Sequence, residues 1–488
     1  MTARFDPDSL DAMADADVAA LRDALQRAGY DGECLGSTDA IAYGMPEIQR
    51  RPLVLHALTQ RGDAGATLTL LFAHGAAVPT AAAEQALGAT LLATLRAHGL
   101  VRGDASVRAQ LRLVPFAGLW FASTPLDARV DPVMGPTATT DELAWALRLQ
   151  GVERLLDVGT GAGAFALFAR SRGVAHVTGV DIDPRAIAFA RFNGRLNGLE
   201  IEWLQGDLTA PVAGRRFDAV VSQPAYVARP PDAAAVTFLH AGERGDELAL
   251  RLVAALPSVL DAGGQAWLLF DSPAASLAAL ARAVADAIEP APMALCLLSR
   301  PGNDAGTQAI AYASVHDRTL GDEYAAEVVR YREHFARLGV THVRHVLLYA
   351  QLRAHAGSLV AFDAGDLAGF DGETLVALLR AADVAALSDA ALCEHTVRPH
   401  PRARLLHEQS LGPTGVDALH VRFEQGAGVD RSLDDAEATM LLALRDHEPT
   451  QAAIATWAQE RGLTLDAATR GFLAFVRQGL RTGLLTPA

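Results

Sequence analysis

Between residues 155 and 226, polar side chains recur where apolar runs stop. Leu155-Leu156 leads into Asp157-Val158-Gly159-Thr160-Gly161-Ala162-Gly163, and His176 to Val180 delivers Asp181 and Ile182. Ile201-Glu202-Trp203-Leu204-Gln205-Gly206 delivers Asp207 and Leu208, and Phe217-Asp218-Ala219-Val220-Val221 runs into Ser222-Gln223-Pro224-Ala225-Tyr226. Carboxylates accept hydrogen bonds from hydroxyl and amino groups, and a glycine turn lets backbone approach a ligand closely. An amide beside an aromatic ring can orient a planar acceptor.

These groups meet if the runs are parallel strands of a doubly wound α/β sheet, because such sheets bind ligands at the carboxyl ends of their strands. The pattern therefore predicts a nucleoside-containing cofactor. Asp181, about 20 residues beyond the first turn, is placed to accept from ribose hydroxyls, and Asp207 is placed for an adenine amino group. The glycines alone also fit dinucleotide-binding enzymes, but the Gly-x-Gly-x-x-Gly spacing for a pyrophosphate is missing.

With the third and fourth strand ends included, residues 134 to 350 resemble the class I S-adenosylmethionine-dependent methyltransferases. The resemblance is to the branch whose fourth motif reads Asn-Pro-Pro-Tyr and which modifies glutamine amides and nucleobase amines. It implies S-adenosyl-L-methionine as cofactor and a Rossmann-like seven-stranded core. Asp157 with Gly159, Thr160, Gly161 and Gly163 would cradle the methionyl part. Asp181 and Ile182 would hold the ribose, Asp207 and Leu208 the adenine, and Ser222 would close the set. Asp183-Pro184-Arg185-Ala186, Ala190, Asn193 and Leu260 to Gly264 extend the match, and Gly135-Pro136-Thr137 to Leu143 resembles the segment that folds over the cofactor.

The fourth motif departs from its usual form, with Gln223 for Asn and Ala225 for the second proline. Gln223 presents the same amide atoms one methylene further out, and losing a proline loosens the turn. A misplacement near 1 Å costs about 10²-fold in rate, so this departure predicts a different acceptor. The expected substrate is a small metabolite or a peptide-derived N, O or S group, in specialised metabolism. The alternatives are a protein glutamine or an RNA base, and a scaffold without catalysis. Gln223 and Pro224 would orient the acceptor and Tyr226 would pack beside it. His240, in the segment Thr237 to Leu248, is a candidate general base for a hydroxyl or acid, because an unperturbed imidazole titrates near pH 6.5.

Composition removes other classes. The 42 Lys+Arg residues are all arginine, so lysine-dependent Schiff-base chemistry and a P-loop are excluded. A net charge of -15 opposes nucleic-acid binding, which depends on neutralising phosphates. Cys34, Cys296 and Cys393 are too scattered for a disulfide framework and suit a reducing cytoplasm. Cys393, His395, His400 and His407 lack zinc-ligand spacing. No signal peptide or membrane span is expected.

Three domains are expected, at 1–126, 127–360 and 361–488. The first reads as a helix from Asp8 to Ala28, apolar segments to Leu87, a helix from Ala89 to Gly99, and a hairpin made by Val107 to Pro115 and Leu119 to Ala122. That order is winged-helix-like. It lacks a basic recognition helix, which leaves substrate gating or a homodimer interface as its role. Asp127 to Met134 reads as a linker. The core continues through Met293 to Leu298, Ala309 to Val315, a helix from Glu323 to Leu338 and a strand from His342 to Leu352. The remainder is mostly helical and acidic, with 18 acids against 11 arginines from residue 361. Its helices are expected at Glu437 to Arg445, Thr450 to Arg461 and Ala467 to Thr482, in a small winged-helix-like layout.

Overall fold

A computed structural model describes residues 5–125, 132–316, 320–355, 357–365, 367–409, 418–424, 428 and 430–488. Part of the expected linker, 127–131, lies outside the described residues. By internal contacts the chain forms two compact units. One holds Met1–Ala144, Leu149–Val259 and Asp304–Thr341, and the other holds Trp145–Arg148, Leu260–Asn303 and His342–Ala488.

The first unit contains a Rossmann-like parallel sheet of β1 (Arg154–Val158), β2 (His176–Asp181), β3 (Glu202–Gln205) and β4 (Phe217–Ser222), in the order β4-β1-β2-β3. All three pairings are parallel. Strands β1, β2 and β4 are buried almost throughout, as expected for a parallel sheet covered on both faces. Helix α1 (Ala164–Ser171) follows β1 and α2 (Pro184–Asn197) follows β2. Asp183 caps α2 by accepting from the Arg185 amide, Pro184 fits its first turn, and Gly198 ends it in a left-handed conformation. After β4 and a long loop come α3 (Glu247–Val259), α4 (Ala305–His316) and α5 (Asp322–Leu338). The apolar segment Ala309 to Val315 is thus part of a helix.

The amino-terminal region belongs to this unit. Its first helix is two, Asp8–Asp11 and Asp15–Arg27, because Asp15 and Asp17 restart a helix whose positive end favours acids. Strand Val78–Pro79, helices Thr80–Leu87 and Ala89–Ala97, and strands Val101–Arg102 and Ser106–Ala109 follow, the three strands forming one small sheet. The expected strand Val107 to Pro115 breaks before Arg112, where a separate hairpin of Arg112–Phe116 and Leu119–Ser123 begins. One hydrophobic core runs from Leu10 and Leu25 through Leu92 and Val107 to Phe189, Phe192 and Leu196 of α2.

In the second unit, strands Leu359–Asp363, Met293–Ser299, His342–Leu352 and Leu260–Ser272 lie side by side in that order. Leu359–Asp363 crosses the expected boundary at 360 and adds a strand to the expected set. The chain then forms helices Gly372–Ala385, Asp435–Asp446, Thr450–Arg461 and Leu465–Arg481 around a core that includes Trp457 and Phe472. Ala403–Glu408, Ala418–Phe423 and Arg431–Leu433 make a small antiparallel sheet.

Candidate functional site

Parallel register brings the strand ends together, with Asp157 opposite Gly179 and Val221, and Asp181 opposite Gln205. Gly159, Gly161 and Gly163 have φ of 70°, 55° and 87°, which non-glycine residues rarely adopt. The turn is fixed by both acids. Asp157 Oδ2 accepts from Thr160 Oγ1 at 2.6 Å and from the Ala166 amide at 3.0 Å. Asp181 Oδ2 accepts from the Gly161 amide at 2.8 Å, and its Oδ1 from the Asp183 amide at 2.9 Å. Burial pushes the Asp157 carboxyl up to about 7, against the hydrogen bonds from Thr160 and Ala166 and with help from the Asp181 charge. Burial also raises Asp181, opposed by the amides of Asp183 and Gly161.

Asp207 sits at the next strand end, half exposed, with Oδ2 accepting from Arg251 of α3 at 2.7 Å. Leu208 has a φ of 48°, a conformation costly for a leucine. Ile182 is 55% exposed beside Asp181, an apolar surface next to the carboxylate expected to meet a ribose. Two supports carry weak sequence signals. The Trp203 ring lies against the glycines, so that a Cβ would fall 2.5 Å from it at Gly179 and 2.9 Å at Gly163. Asn193 of α2 is buried and accepts from the Ala122 amide at 2.8 Å, while its Nδ2 donates to the carbonyls of Ala122 and Ala162. It thereby joins the amino-terminal hairpin to the glycine turn. A strand glycine opposite a tryptophan was the available signal for the first; the second depends on a contact 71 residues away.

At the end of β4, Ser222 is buried and donates to the Val158 carbonyl at 2.6 Å, a bond that ties β4 to β1 and takes up its hydroxyl. Gln223 is half buried. Its Nε2 donates to Thr139 Oγ1 at 2.6 Å, and Thr140 Oγ1 lies 3.5 Å from its Oε1. Pro224 is buried and Tyr226 partly buried, and Tyr312 Oη of α4 lies 3.5 Å from the Tyr226 carbonyl. The following loop doubles back through bonds between the Val227 amide and the Leu239 carbonyl, and between the Ala241 amide and the Val227 carbonyl.

His240 is a fastener in this loop. Its Nδ1 accepts from the Val236 amide at 3.1 Å, which puts the ring proton on Nε2, 3.3 Å from Tyr331 Oη of α5. His334 Nε2 donates to the Glu243 carbonyl at 2.7 Å, Arg337 pairs with Glu243 at 2.6 Å, and Arg330 with Asp232 at 3.3 Å. A general-base role for His240 requires releasing the Val236 bond first.

S-adenosylmethionine fits the residues present. Asp157 Oδ1 is buried with no hydrogen-bond partner among the described residues, an acceptor that a cationic amino group or its water can satisfy. A Cβ at Gly159 would enter open space, so the turn has a free side. A separate groove of about 690 Å³ opens at the amino ends of the strands, among residues including Arg154, His176, Glu202, Arg215 and Phe217. It is remote from the glycine turn, and Arg154 and Arg215 there are paired with Asp218 and Glu202. Among the described residues, no His, Cys, Asp and Glu group could hold a metal, and no helix is long and apolar enough to cross a membrane.

Residues 155–241 match a family described as a methyltransferase domain. The release factor glutamine methyltransferase of Deinococcus radiodurans is 37% identical over 150 residues, 27% of this chain and 52% of that protein. The ribosomal protein uL3 glutamine methyltransferase of Xanthomonas campestris is 35% identical over 162 residues, covering 30% and 51%. The ribosomal protein L11 methyltransferase of Thiobacillus denitrificans is 32% identical over 176 residues, covering 34% and 57%. The chain spans about half the length of these relatives.

Proposed function

We propose that this methyltransferase domain moves a methyl group from S-adenosylmethionine to an amide nitrogen of a protein glutamine. The carrying observation is Gln223, with Tyr226 three residues on, just past the carboxyl end of β4, on the same sheet edge as Asp157 and Asp181. Relatives named as protein-glutamine and ribosomal-protein methyltransferases support a protein acceptor. They move the reading away from the small metabolite that the altered motif predicted.

When bound, S-adenosylmethionine supplies a sulfonium-activated methyl group. Asp157 and the turn from Gly159 to Gly163 hold its methionyl end, Asp181 and Ile182 its ribose, and Asp207 and Leu208 its adenine. Gln223 Oε1 accepts one N–H of the substrate amide and so aims the nitrogen, while Pro224 shapes the turn and the Tyr226 ring packs beside it. Positioning of this kind contributes several kcal/mol, on the order of what near-attack geometry supplies. The amide keeps both protons until the methyl–sulfur bond has broken and then loses one to solvent, so no strong base is required. We read the amino-terminal strand, helices and hairpin as a winged-helix-like module that presents the protein substrate.

The test is transfer of labelled methyl groups to release-factor and ribosomal-protein fractions and, separately, to a metabolite extract. Methylated glutamine in the protein hydrolysate is expected. Label confined to metabolites would return the small-molecule reading. Tyr226→Ala should lower turnover far more than cofactor affinity, and equal losses would make Tyr226 structural.

A further inference from the structure

We infer that Thr139 and Thr140 are positioning residues that fix which way round the Gln223 amide is presented. The inference rests on the reading of Gln223 as the group that meets the acceptor. An amide has an acceptor end and a donor end of nearly the same shape, and only its partners decide their order. Here both ends of the amide meet threonine hydroxyls of one helical turn.

The Thr137 amide donates to Thr140 Oγ1 at 3.1 Å. The Thr140 hydroxyl in turn donates to Gln223 Oε1 at 3.5 Å. At the other end, Gln223 Nε2 donates to Thr139 Oγ1 at 2.6 Å, and Thr139 Oγ1 is 2.9 Å from Thr137 Oγ1. The four residues form a closed ring of hydrogen-bonding groups, completed by Thr137 Oγ1 and Thr140 Oγ1 at 3.4 Å. Each contact lies in the first turn of the helix Ala138–Ala146 or just before it. Thr140 is buried, which shields the ring from water on one side.

The ring leaves one Oε1 lone pair and one Nε2 proton for a substrate amide, whose own N–H and C=O are the matching pair. It also explains how the altered motif can work. Ala225 removes one ring constraint from the turn and glutamine adds a rotatable bond, so the side chain needs an external hold that a stiffer Asn-Pro-Pro turn does not. Thr139 Oγ1 supplies it. The short contact to Thr139 carries most of this hold, and the longer one to Thr140 sets polarity.

The test compares Thr139→Val, which keeps shape and removes the hydroxyl, with Thr139→Ser, which keeps the hydroxyl. Crystal structures of both variants read the position of Gln223 directly. We expect the amide in place in Thr139→Ser and rotated away in Thr139→Val, with S-adenosylhomocysteine affinity by calorimetry changed less than about 2-fold in either. On labelled release-factor and ribosomal-protein fractions, Thr139→Val should lose about 10²-fold in turnover, the scale of a 1 Å misplacement, and Thr139→Ser should recover most of it. A Gln223 amide unmoved in Thr139→Val overturns the inference. If the unmodified protein labels no protein fraction, the functional reading fails, and the two crystal structures still decide whether Thr139 holds Gln223.

Discussion

Asp181 reaches back from the end of β2 to accept the backbone amide of Gly161 at 2.8 Å, so the second acid of the crevice holds the glycine turn of the first. Burial is what chiefly raises Asp157, and the charge of this same carboxylate adds to it. Turn shape and acid protonation are therefore coupled through one side chain.

Asp181→Ala should weaken S-adenosylhomocysteine binding by more than loss of a ribose contact alone, because the Gly161 amide loses its partner as well. A hydrogen bond to a charged group contributes about 1.5–3 kcal/mol, or roughly 10- to 150-fold in affinity. Calorimetry measures this, and binding within a factor of two of the unmodified protein would remove Asp181 from the site.

Asp157 predicts a pH dependence. Its folded pKa of about 7 exceeds the ordinary 3.8, so the folded state holds the proton more tightly than the unfolded chain. Stability relative to Asp157→Asn should thus fall as pH rises between those values and level off above 7. A cationic cofactor end favours the ionised carboxylate, so binding should tighten up to about pH 7 with release of protons. Urea melts across pH and calorimetry in two buffers of different ionisation enthalpy test the pair of signs.

The His240 geometry predicts a structural phenotype. Tyr331→Phe and His240→Gln should each cost about 0.5–1.5 kcal/mol, the net worth of an ordinary hydrogen bond, and should expose the loop from 228 to 246 to proteolysis. The pH profile of turnover should keep its acid limb in His240→Gln. Loss of that limb would make His240 the base.

Gly179→Ala should destabilise the fold by about 1–3 kcal/mol through overpacking, since its Cβ would meet the Trp203 ring at 2.5 Å. Combining it with Trp203→Leu should recover part of the loss. Chemical denaturation of the three variants checks the coupling, and additive losses would show that the ring is not the obstacle.

What could be read from the chain is local and repetitive. Each apolar run of β1 to β4 is followed within a residue or two by an acid, a glycine turn or the Ser222 segment, so the strand ends were legible from spacing. The partners of those residues were not. Gln223 meets Thr139, 84 positions earlier, and nothing in either neighbourhood announces the pairing. His240 carries the sequence mark of a base, yet its Nδ1 is taken by an amide four residues away. Asn193 extends the resemblance in the sequence, yet its partner, the Ala122 backbone 71 positions away, is visible only in the fold. The single helix expected from Asp8 missed its break because the turn Ala12 to Ala14 contains no glycine or proline.

The loop after β4 draws its fasteners from far down the chain: Tyr331 and His334 each lie 91 positions beyond the groups they secure. During synthesis the glycine turn and its acids have emerged from the ribosome well before α5 exists. A nascent chain stopped short of residue 322 would hold the glycine turn with Asp157 and Asp181 but lack the side chains that fasten the loop after β4.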